Sequence, residues 1–414
     1  MSRATGVSLL ALLVLGCGGG VVASSPGDAG TSLADATSES SAPDTGSPLQ
    51  DSGAVDSGTI TPPDACGADI QNDPRNCGAC GLDCGTSACV AGFCSAAPIV
   101  LASGTTPDLV AVGAADFYWS TQTPSSTIMD CPLGGCVGQP TVFWSGPASV
   151  DALSVENDMV VWPAQAGLGP IESGVVACSI AGCGTGPTIL VQLPNLEIYG
   201  FGADTATTYF TLGSLDSCAI VGCGGTPKVL MPYPDGGSNG AGALAVGGGN
   251  LVWIDETGTL STCPTSGCVG APVVIGTASQ RTMVLAVDAH DVYWIDPGEP
   301  VPPKTFGPNT HGAIRACPLS GCPAGGSTVL AAYPTWLSGA ALAVDGSNLY
   351  WTTEDGAGDY GEVVRCSLGG CGGKPTPLAT TDTRQRVATR GLALDATNVY
   401  WTDPGTGQVL TLPK

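Results

Sequence analysis

The feature that most constrains this chain is an internal repeat that runs from residue 109 to the C-terminus. Its clearest copy is Leu342 to Leu378, LAVDGSNLYWTTEDGAGDYGEVVRCSLGGCGGKPTPL. Each copy contains a short apolar run, a turn, an aromatic run, a variable loop, a third run that leads into a Cys-x4-Cys pair, and a fourth run. No copy shows a helical period, so the repeat predicts four β-strands per copy.

The composition agrees with an all-β chain. The 414 residues include 62 Gly and 33 Pro, and only 11% are charged, which favours many short strands and turns over long amphipathic helices. The net charge is −23, with only 12 Lys and Arg. We therefore expect no nucleic-acid partner, because a phosphate backbone would be repelled. On an exported chain, this acidic balance favours solubility.

Seven aromatic runs recur 41 to 57 residues apart. Aromatic and β-branched residues at this spacing predict the blades of a β-propeller, in which each blade buries its faces against its neighbours. We interpret the aromatic side chains as the packing between blades. The runs are Tyr118-Trp119-Ser120, Val161-Trp162-Pro163, Tyr209-Phe210-Thr211, Val252-Trp253-Ile254-Asp255, Tyr293-Trp294-Ile295-Asp296, Tyr350-Trp351-Thr352 and Tyr400-Trp401-Thr402-Asp403.

The two ends of the repeat predict how the circle of blades closes. The last copy has three runs and stops at Lys414 without a fourth. The missing run stands at the other end, where residues 97–103, APIVLAS, match residues 271–277 and 375–380. We therefore expect an N-terminal strand to complete the last blade and to remove its exposed edge. The prediction is a seven-bladed β-propeller over residues 97–414.

The copy Leu392 to Asp403, LALDATNVYWTD, resembles the YWTD repeats of low-density lipoprotein receptors and bacterial propellers of similar appearance. The resemblance covers residues 98–414 and implies a β-propeller. The receptor domains have six repeats whereas this chain has seven, and the Asp of the motif is present in three copies only. The resemblance therefore implies the fold and does not transfer the ligand specificity of the receptors.

Six Cys-x4-Cys pairs stand between the third and fourth runs. Four intervening residues can form a hairpin turn that brings the opposed Cβ atoms into disulfide range, and closing such a small loop contributes about 2 kcal/mol. One pair per blade spreads around the propeller, so no four cysteines would converge on a metal. The expected disulfides join Cys131 with Cys136, Cys178 with Cys183, Cys218 with Cys223, Cys263 with Cys268, Cys317 with Cys322, and Cys366 with Cys371.

The first 16 residues have the pattern of an export signal. A positive start is followed by an apolar run, Val7 to Leu15, that is too short to span a membrane. Residues 13–17, LVLGC, resemble a bacterial lipoprotein signal, which implies that Cys17 carries a lipid and begins the mature chain. The alternative is an ordinary secretory signal that contains a cysteine. Without Cys17 the 19 cysteines become an even number, as pairing in an oxidising compartment requires.

The stretch between the signal and the propeller divides into two parts. We expect residues 17–65 to be a lipidated acidic linker, and this stretch has no Lys, Arg or aromatic residue from Gly18 to Asp64. Such a segment cannot bury enough apolar surface to fold, so we expect a disordered tether. Residues 66–94 are too few for an apolar core and must depend on cross-links. Their six cysteines are Cys66, Cys77, Cys80, Cys84, Cys89 and Cys94.

The spacing Asn76-Cys77-Gly78-x-Cys80-Gly81-x-x-Cys84, followed by Cys89-x4-Cys94, resembles the cysteine-rich module of stigma-specific Stig1-like proteins. The resemblance implies a disulfide-rich module and leaves its connectivity open. Cys77-x-x-Cys80 has a zinc or thiol-redox alternative. Zinc sites usually add a second pair or histidines, and neither His290 nor His311 is near in sequence.

Two sequence features are compared with catalytic motifs. Residues 236–240, GGSNG, match a nucleophile elbow, but that motif requires a strand before it and a helix after it, and here it precedes a first strand. His290 and His311 lie in different parts of the fifth copy and form no Ser-His-Asp set. We therefore assign no catalytic residue and no cofactor.

An aspartate recurs in the turn between the first and second runs, as Asp288, Asp345 and Asp395. Aspartate in such a turn bonds to the nearby backbone. A calcium ion would need more oxygen ligands than each turn supplies.

One face of the predicted propeller collects the variable loops. In a four-stranded meander, the second-to-third and fourth-to-first connections open on the same face, opposite the disulfide hairpins. The long insertions Pro297 to Gly312 and Glu354 to Gly361 belong to this face. A candidate ligand-binding patch there, which would bind anionic groups, consists of Trp336, Arg384, Arg386 and Arg390.

We expect a protein that is lipid-anchored in the bacterial envelope, at the outer membrane or cell surface, and that binds an extracytoplasmic protein or glycan. The alternative from another class is a propeller hydrolase or lactonase with a metal at the channel mouth. Such enzymes hold the metal with carboxylates. No such set recurs among the copies, and Asp108, Asp151 and Glu197 at the strand entries are the candidates. A purely structural envelope role is the third interpretation.

The lipid attachment is directly testable. Replacing Cys17 by Ala removes the only thiol that the signal offers to the lipid, so we expect the variant to leave the membrane fraction. Cell fractionation of both forms measures this, and unchanged membrane association would contradict it.

Overall fold

The structure is a computed structural model, and all the residues that it describes belong to one compact unit, Pro62–Lys414. They are residues 73, 75–76, 88–90, 93–95, 97–121, 126–168, 171–192, 198–211, 213–232, 242–279, 282–298, 312–333, 337, 341–354, 360–382 and 390–414. Cys17 and the predicted tether lie outside these ranges.

The described residues form 31 strands. Within this part of the chain no helix is long and apolar enough to cross a membrane. Before blade 1 come the hairpin of β1 (Ala88–Val90) and β2 (Phe93–Ser95) and the single strand β3 (Ile99–Ser103). Blade 1 contains β4 (Pro107–Val112), β5 (Asp116–Thr121), β6 (Ser126–Pro132) and β7 (Thr141–Gly146). Blade 2 contains β8 (Ser149–Val150), β9 (Ser154–Glu156), β10 (Met159–Leu168), β11 (Ile171–Ser179) and β12 (Thr188–Gln192).

The next four blades have four strands each. Blade 3 contains β13 (Gly200–Ala203), β14 (Thr207–Thr211), β15 (Ser214–Ala219) and β16 (Lys228–Pro232). Blade 4 contains β17 (Ala243–Gly247), β18 (Asn250–Ile254), β19 (Thr259–Pro264) and β20 (Val273–Thr277). Blade 5 contains β21 (Leu285–Val287), β22 (Asp291–Asp296), β23 (Ala313–Pro318) and β24 (Thr328–Ala332). Blade 6 contains β25 (Leu342–Val344), β26 (Asn348–Glu354), β27 (Tyr360–Ser367) and β28 (Thr376–Asp382).

Blade 7 closes the propeller in the predicted way. It consists of β29 (Leu392–Leu394), β30 (Asn398–Asp403), β31 (Gln408–Pro413) and the N-terminal strand β3, which pairs antiparallel with β31. The first strands contact each other around a complete circle, in the order β4, β9, β13, β17, β21, β25, β29 and back to β4. The chain is therefore a seven-bladed β-propeller.

The core consists of seven apolar clusters, one between each two neighbouring blades. In five of them the Trp of one blade packs with the Tyr of the blade before it. The other two interfaces have Val161 with Phe210 and Val252 with Trp294. The interpretation of the aromatic runs as packing between blades is confirmed. The five aromatic pairs are Tyr118 with Trp162, Tyr209 with Trp253, Tyr293 with Trp351, Tyr350 with Trp401, and Tyr400 with Trp119.

All six Cys-x4-Cys pairs are joined as the predicted disulfides, with Cα atoms 4.8 to 5.4 Å apart. The first cysteine of each pair stands one residue before the end of a third strand and is buried, whereas the second lies in the following turn and is half-buried. The disulfides join Cys131 with Cys136, Cys178 with Cys183, Cys218 with Cys223, Cys263 with Cys268, Cys317 with Cys322, and Cys366 with Cys371.

The disulfide hairpins also contact neighbouring blades, which the sequence did not indicate. The N–H of Cys136 donates to the carbonyl of Leu101 at 3.0 Å, and the N–H of Cys322 donates to the carbonyl of Ile275 at 2.8 Å. In each case the acceptor belongs to the outer strand of the blade before. Sequence spacing predicted only the local cross-link, because these hydrogen bonds join strands from different blades.

The half-buried cysteines take part in the same packing. Cys183 packs against the cluster between blades 1 and 2, and Cys223 against the one between blades 2 and 3. Cys268 and Cys371 lie at the corresponding places between blades 3 and 4 and between blades 5 and 6. The disulfides therefore add apolar surface to the blade interfaces as well as closing their own hairpins.

The cysteine-rich module is described in small part. Its β1–β2 hairpin lies against β28, the outer strand of blade 6, and Cys89 is buried and disulfide-bonded. The backbone of Cys89 is opposite that of Cys94 in the hairpin. The predicted module cysteines Cys66, Cys77, Cys80 and Cys84 lie outside the described residues.

The closing strand generates a stability prediction. Deleting residues 97–103 leaves blade 7 with three strands and exposes the edge of β31, and it also removes the pairing that ties the two ends of the propeller together. We expect a markedly lower melting temperature or aggregation, measured by thermal unfolding of the full chain.

The matched control deletes residues 38–44, an equal length of the predicted tether, which has no core to disturb. We expect this deletion to leave the melting temperature unchanged. Equal losses in the two variants would mean that β3 does not hold the propeller together.

Candidate ligand-binding face

First strands begin and second strands end on one face of the propeller, here called the loop face. The second-to-third connections of blades 5 and 6 open there, after Asp296 and Glu354. The opposite face carries the disulfide hairpins and the turns between first and second strands. Residues 299–311, 334–336, 355–359 and 383–389 lie outside the described part of the chain, and so Trp336, Arg384, Arg386 and His311 are not placed.

In six of the seven blades, the described residues include one at the same position where the first strand begins. The position is defined by strand register. In blade 7, Leu392 pairs with the aromatic residue Trp401, and in blade 4 Leu244 pairs with Trp253. The position lies two residues before this paired residue of the first strand. We call these the mouth residues. In chain order they are Asp108, Asp151, Tyr199, Gly242, Met283 and Arg390, and the equivalent residue of blade 6 is outside the described ranges.

The mouth residues of blades 7 and 1 form an ion pair. Arg390 Nη1 lies 3.1 Å from Asp108 Oδ2, and the Asp108 side chain is almost buried whereas that of Arg390 is 45% exposed. The hydroxyl of Thr402 donates to the carbonyl of Asp108 at 2.8 Å and accepts from the N–H of Gly391. A Cβ at Gly391 would lie 2.8 Å from the backbone nitrogen of Val110, so glycine allows the two blades to meet.

The ion pair involves one residue from each of two predicted sites, the anion-binding arginine patch and the metal-binding carboxylates. Arg390 was predicted to belong to the anion-binding patch, and the structure places its guanidinium against a carboxylate. Asp108 was considered as a metal ligand, and its carboxylate binds Arg390. Glu197, the third carboxylate of that hypothesis, lies outside the described residues.

A cavity of about 180 Å³ opens at the mouth and is lined by residues of blades 2, 3, 4 and 5. Two of its lining side chains, Tyr199 and Met283, are mouth residues that are 45% and 68% exposed. The mouth residue Asp151 and the second-strand residue Gln165 supply polar groups. The remaining lining residues are Ala152, Pro163, Ile198, Gly200, Phe201, Gly242, Ala243 and Leu244.

Hydrogen bonds hold the walls of this cavity in place. Gln165 Nε2 donates to the carbonyl of Ile198 at 3.0 Å, which joins blade 2 to the start of blade 3. The N–H of Tyr199 donates to the carbonyl of Thr211 at 3.2 Å. The hydroxyl of Ser149 donates to Asp151 Oδ2 at 2.9 Å. The lining residues are therefore carried by strand starts and ends rather than by long loops.

Tyr199 and Met283 were not predicted from the sequence. Both occupy the position of Arg390 in their own copies, so an alignment of the copies on their aromatic runs would have found them. The third copy matches the repeat weakly and has Phe210 in place of Trp, which obscured Tyr199.

The raised carboxyl pKa values do not mark a common site. Burial raises the pKa of five acids, which belong to blades 1, 2, 3, 5 and 6. In the described part of the chain, no group of three or more His, Cys, Asp and Glu residues is arranged to hold a metal ion. The five acids are Asp130, Glu156, Asp216, Asp291 and Glu362.

The recurring aspartates of the opposite face bond to the turn backbone, as predicted. Asp395 Oδ1 accepts from the N–H groups of Thr397 and Asn398, and its Oδ2 accepts from the hydroxyl of Tyr400 at 2.6 Å. Burial alone would raise the pKa of Asp395, but the hydrogen bonds from Tyr400 and the turn outweigh it and lower the pKa to about 2. The same arrangement at Asp204 was missed. Asp288 and Asp345 also have it.

Comparison with solved structures supports the fold. The chain is similar to virginiamycin B lyase from Staphylococcus aureus, with a TM-score of 0.51 and 12% identity over 77% of this chain and 98% of that chain. It is also similar to the Pan2 WD40 domain of Neurospora crassa, with a TM-score of 0.51 and 7% identity over 76% of this chain and 94% of that chain. At these identities the likeness shows the fold alone.

No protein-family model matches the chain, and no curated protein matches it.

The buried carboxyl of Asp216 generates a pH prediction. Asp216 pairs with Phe210, so its side chain is on the face that packs against blade 2. Its Oδ2 accepts from Ser214, and its Oδ1 has no hydrogen-bond partner among the described residues. Burial raises the pKa of Asp216. Because the folded state holds this proton more tightly than the unfolded state, stability falls as pH rises from about 3.9 through the raised pKa.

We therefore expect Asp216→Asn to raise the melting temperature at pH 7, with a difference from the wild type that shrinks as the pH is lowered. Thermal unfolding between pH 3 and pH 8 measures it. Glu256→Gln, which removes an exposed carboxylate, is the control and should show no such trend. A difference for Asp216→Asn that does not change with pH would contradict the assignment.

Proposed function

We propose that this chain is a lipid-anchored protein of the bacterial envelope whose propeller binds an extracytoplasmic protein or glycan at the loop face. The proposal is supported by one observation above all, namely the exposed Tyr199 and Met283 at the mouth cavity. Aromatic and methionine side chains are enriched in interfaces, and a concave site with a few polar groups is the usual form of a binding site.

The position of the cavity also supports binding. The lining residues lie at the ends of strands in four blades, and the blades are fixed by the clusters between them. A site on such a frame loses little conformational freedom when it binds. This favours recognition by a preformed surface over folding upon binding.

The hydrolase or lactonase alternative would place a metal at the mouth. Of the carboxylates considered for it, Asp108 is ion-paired with Arg390, and Asp151 lies in the cavity with Tyr199 and Met283. This arrangement favours binding, and we do not propose the enzymatic function.

The test is a glycan and peptide array probed with the full chain. We expect saturable binding to one class of ligand, and we expect the double substitution Tyr199→Ala and Met283→Ala to weaken it at least about tenfold, as for residues at the centre of an interface.

The control replaces two exposed apolar residues of the disulfide hairpins on the opposite face, Val221→Ala and Val269→Ala. It removes a similar type of side chain and should leave binding unchanged. An equal loss in both double variants, or none in either, would show that the ligand does not bind at the mouth.

A further inference from the structure

The size of the mouth cavity restricts its occupant. Its volume of about 180 Å³ is below the roughly 300–1,000 Å³ of sites that hold whole small molecules. There is room for one extended side chain or one sugar ring. The occupant therefore inserts a single group, and the rest of the ligand lies on the loop face.

The charge of the cavity restricts the occupant further. Among the described residues that line it, Asp151 is the one charged side chain, and none is Lys, Arg or His. Across the mouth, Arg390 is held by Asp108. The whole chain carries a net charge of −23, which attracts cations and repels anions at long range. A basic group is therefore favoured.

The walls fit the stem of a long basic side chain. Phe201 and Leu244 are among the lining residues, and the exposed side chains of Tyr199 and Met283 supply apolar surface at the mouth. The methylene groups of Lys or Arg pack against such surfaces while the charged end reaches a polar group. A cation over the Tyr199 ring would strengthen this contact, because the face of an aromatic ring attracts positive charge.

A neutral sugar ring gains less from this cavity than a cation does, because Asp151 is the one charged group among the described lining residues. Asp151 Oδ2 accepts from Ser149, and the carboxylate has further lone pairs for an ammonium or guanidinium group. Such a charge-assisted hydrogen bond is roughly twice as strong as one to a neutral hydroxyl.

From these observations we propose that the mouth cavity receives one lysine or arginine side chain of a protein partner, with its charged end at Asp151 and its stem against Tyr199 and Met283. This inference rests on the proposed binding function and names the class of its ligand.

The test uses methyl NMR of the full chain labelled at its five methionines. Met283 is the exposed methionine of the cavity, and Met283→Ala identifies its signal. The probes are N-acetyl-lysine amide and N-acetyl-arginine amide. The uncharged N-acetyl-norleucine amide and N-acetylglucosamine serve as comparisons. We expect a saturable shift of the Met283 signal with the two basic probes, and at least about fivefold weaker binding of the norleucine probe.

The Asp151→Asn variant should weaken binding of the basic probes about fivefold and leave the norleucine titration unchanged. Glu256→Gln removes the same charge from an exposed position of the loop face outside the cavity, and should have a smaller effect.

Equal binding of the norleucine probe, or an equal effect of the two variants, would overturn the role of Asp151. A Met283 shift with N-acetylglucosamine alone would overturn the inference and leave the proposed binding function standing with a glycan as ligand. If no probe shifts the Met283 signal, but the double variant of Tyr199 and Met283 loses binding to a ligand found on the array, the proposed lysine or arginine side chain is rejected and the binding function stands. Silence in both experiments would reject the proposed function as well.

Discussion

The structure depends on the packing of a Trp of one blade against a Tyr of the blade before it. A four-stranded sheet has two faces and, in the described part of this chain, no helix covers either of them, so each blade must bury both faces against other blades. The side chains Trp119, Trp162, Trp351 and Trp401 are at most 1% exposed. Burying each such side chain stabilises the fold by about 1.5–3 kcal/mol or more. Because every blade needs two neighbours, the arrangement is satisfied only when the circle closes.

Closure brings together the two ends of the propeller and therefore produces its least local contacts. Strand β3 pairs with β31 on the outside of blade 7, and Arg390 reaches Asp108 at the mouth, 282 residues away in sequence. The hydroxyl of Thr402 spans the same junction. Blade 7 has no Cys-x4-Cys pair, and there Lys414 Nζ binds Asp345 Oδ2 of blade 6 at 2.9 Å. Blades 6 and 7 are thus joined by an ion pair at the place where the other blades have a disulfide hairpin.

Most of the fold could be predicted because its determinants repeat. The four runs per copy, the seven aromatic positions, the Cys-x4-Cys hairpins and the supply of the last strand from the N-terminal end are all local patterns or matches between copies. The mouth could not be predicted in the same way, because it consists of the positions at which the copies differ. Asp108 and Arg390 were each singled out, but nothing in the sequence indicates that they pair across the closing junction. Asp151 was considered as a metal ligand because it is a carboxylate at a strand entry. Its neighbours Tyr199 and Met283 come from other blades, so the sequence did not show them beside it.

The difference between the repeated core positions and the variable mouth positions explains how a regular propeller can carry a specific site. Substitutions at the tryptophans or tyrosines would disturb the interfaces on which the circle depends, whereas mouth residues such as Met283 have their side chains largely in solvent. The backbone at Tyr199 is nevertheless held in place by the hydrogen bond from its N–H to the carbonyl of Thr211. The mouth side chains can therefore be substituted with little loss of stability, while the packing of the blades sets the distances between them. For this chain, that places a carboxylate, an aromatic ring and a thioether around one small cavity, and their identity rather than the fold decides what it binds.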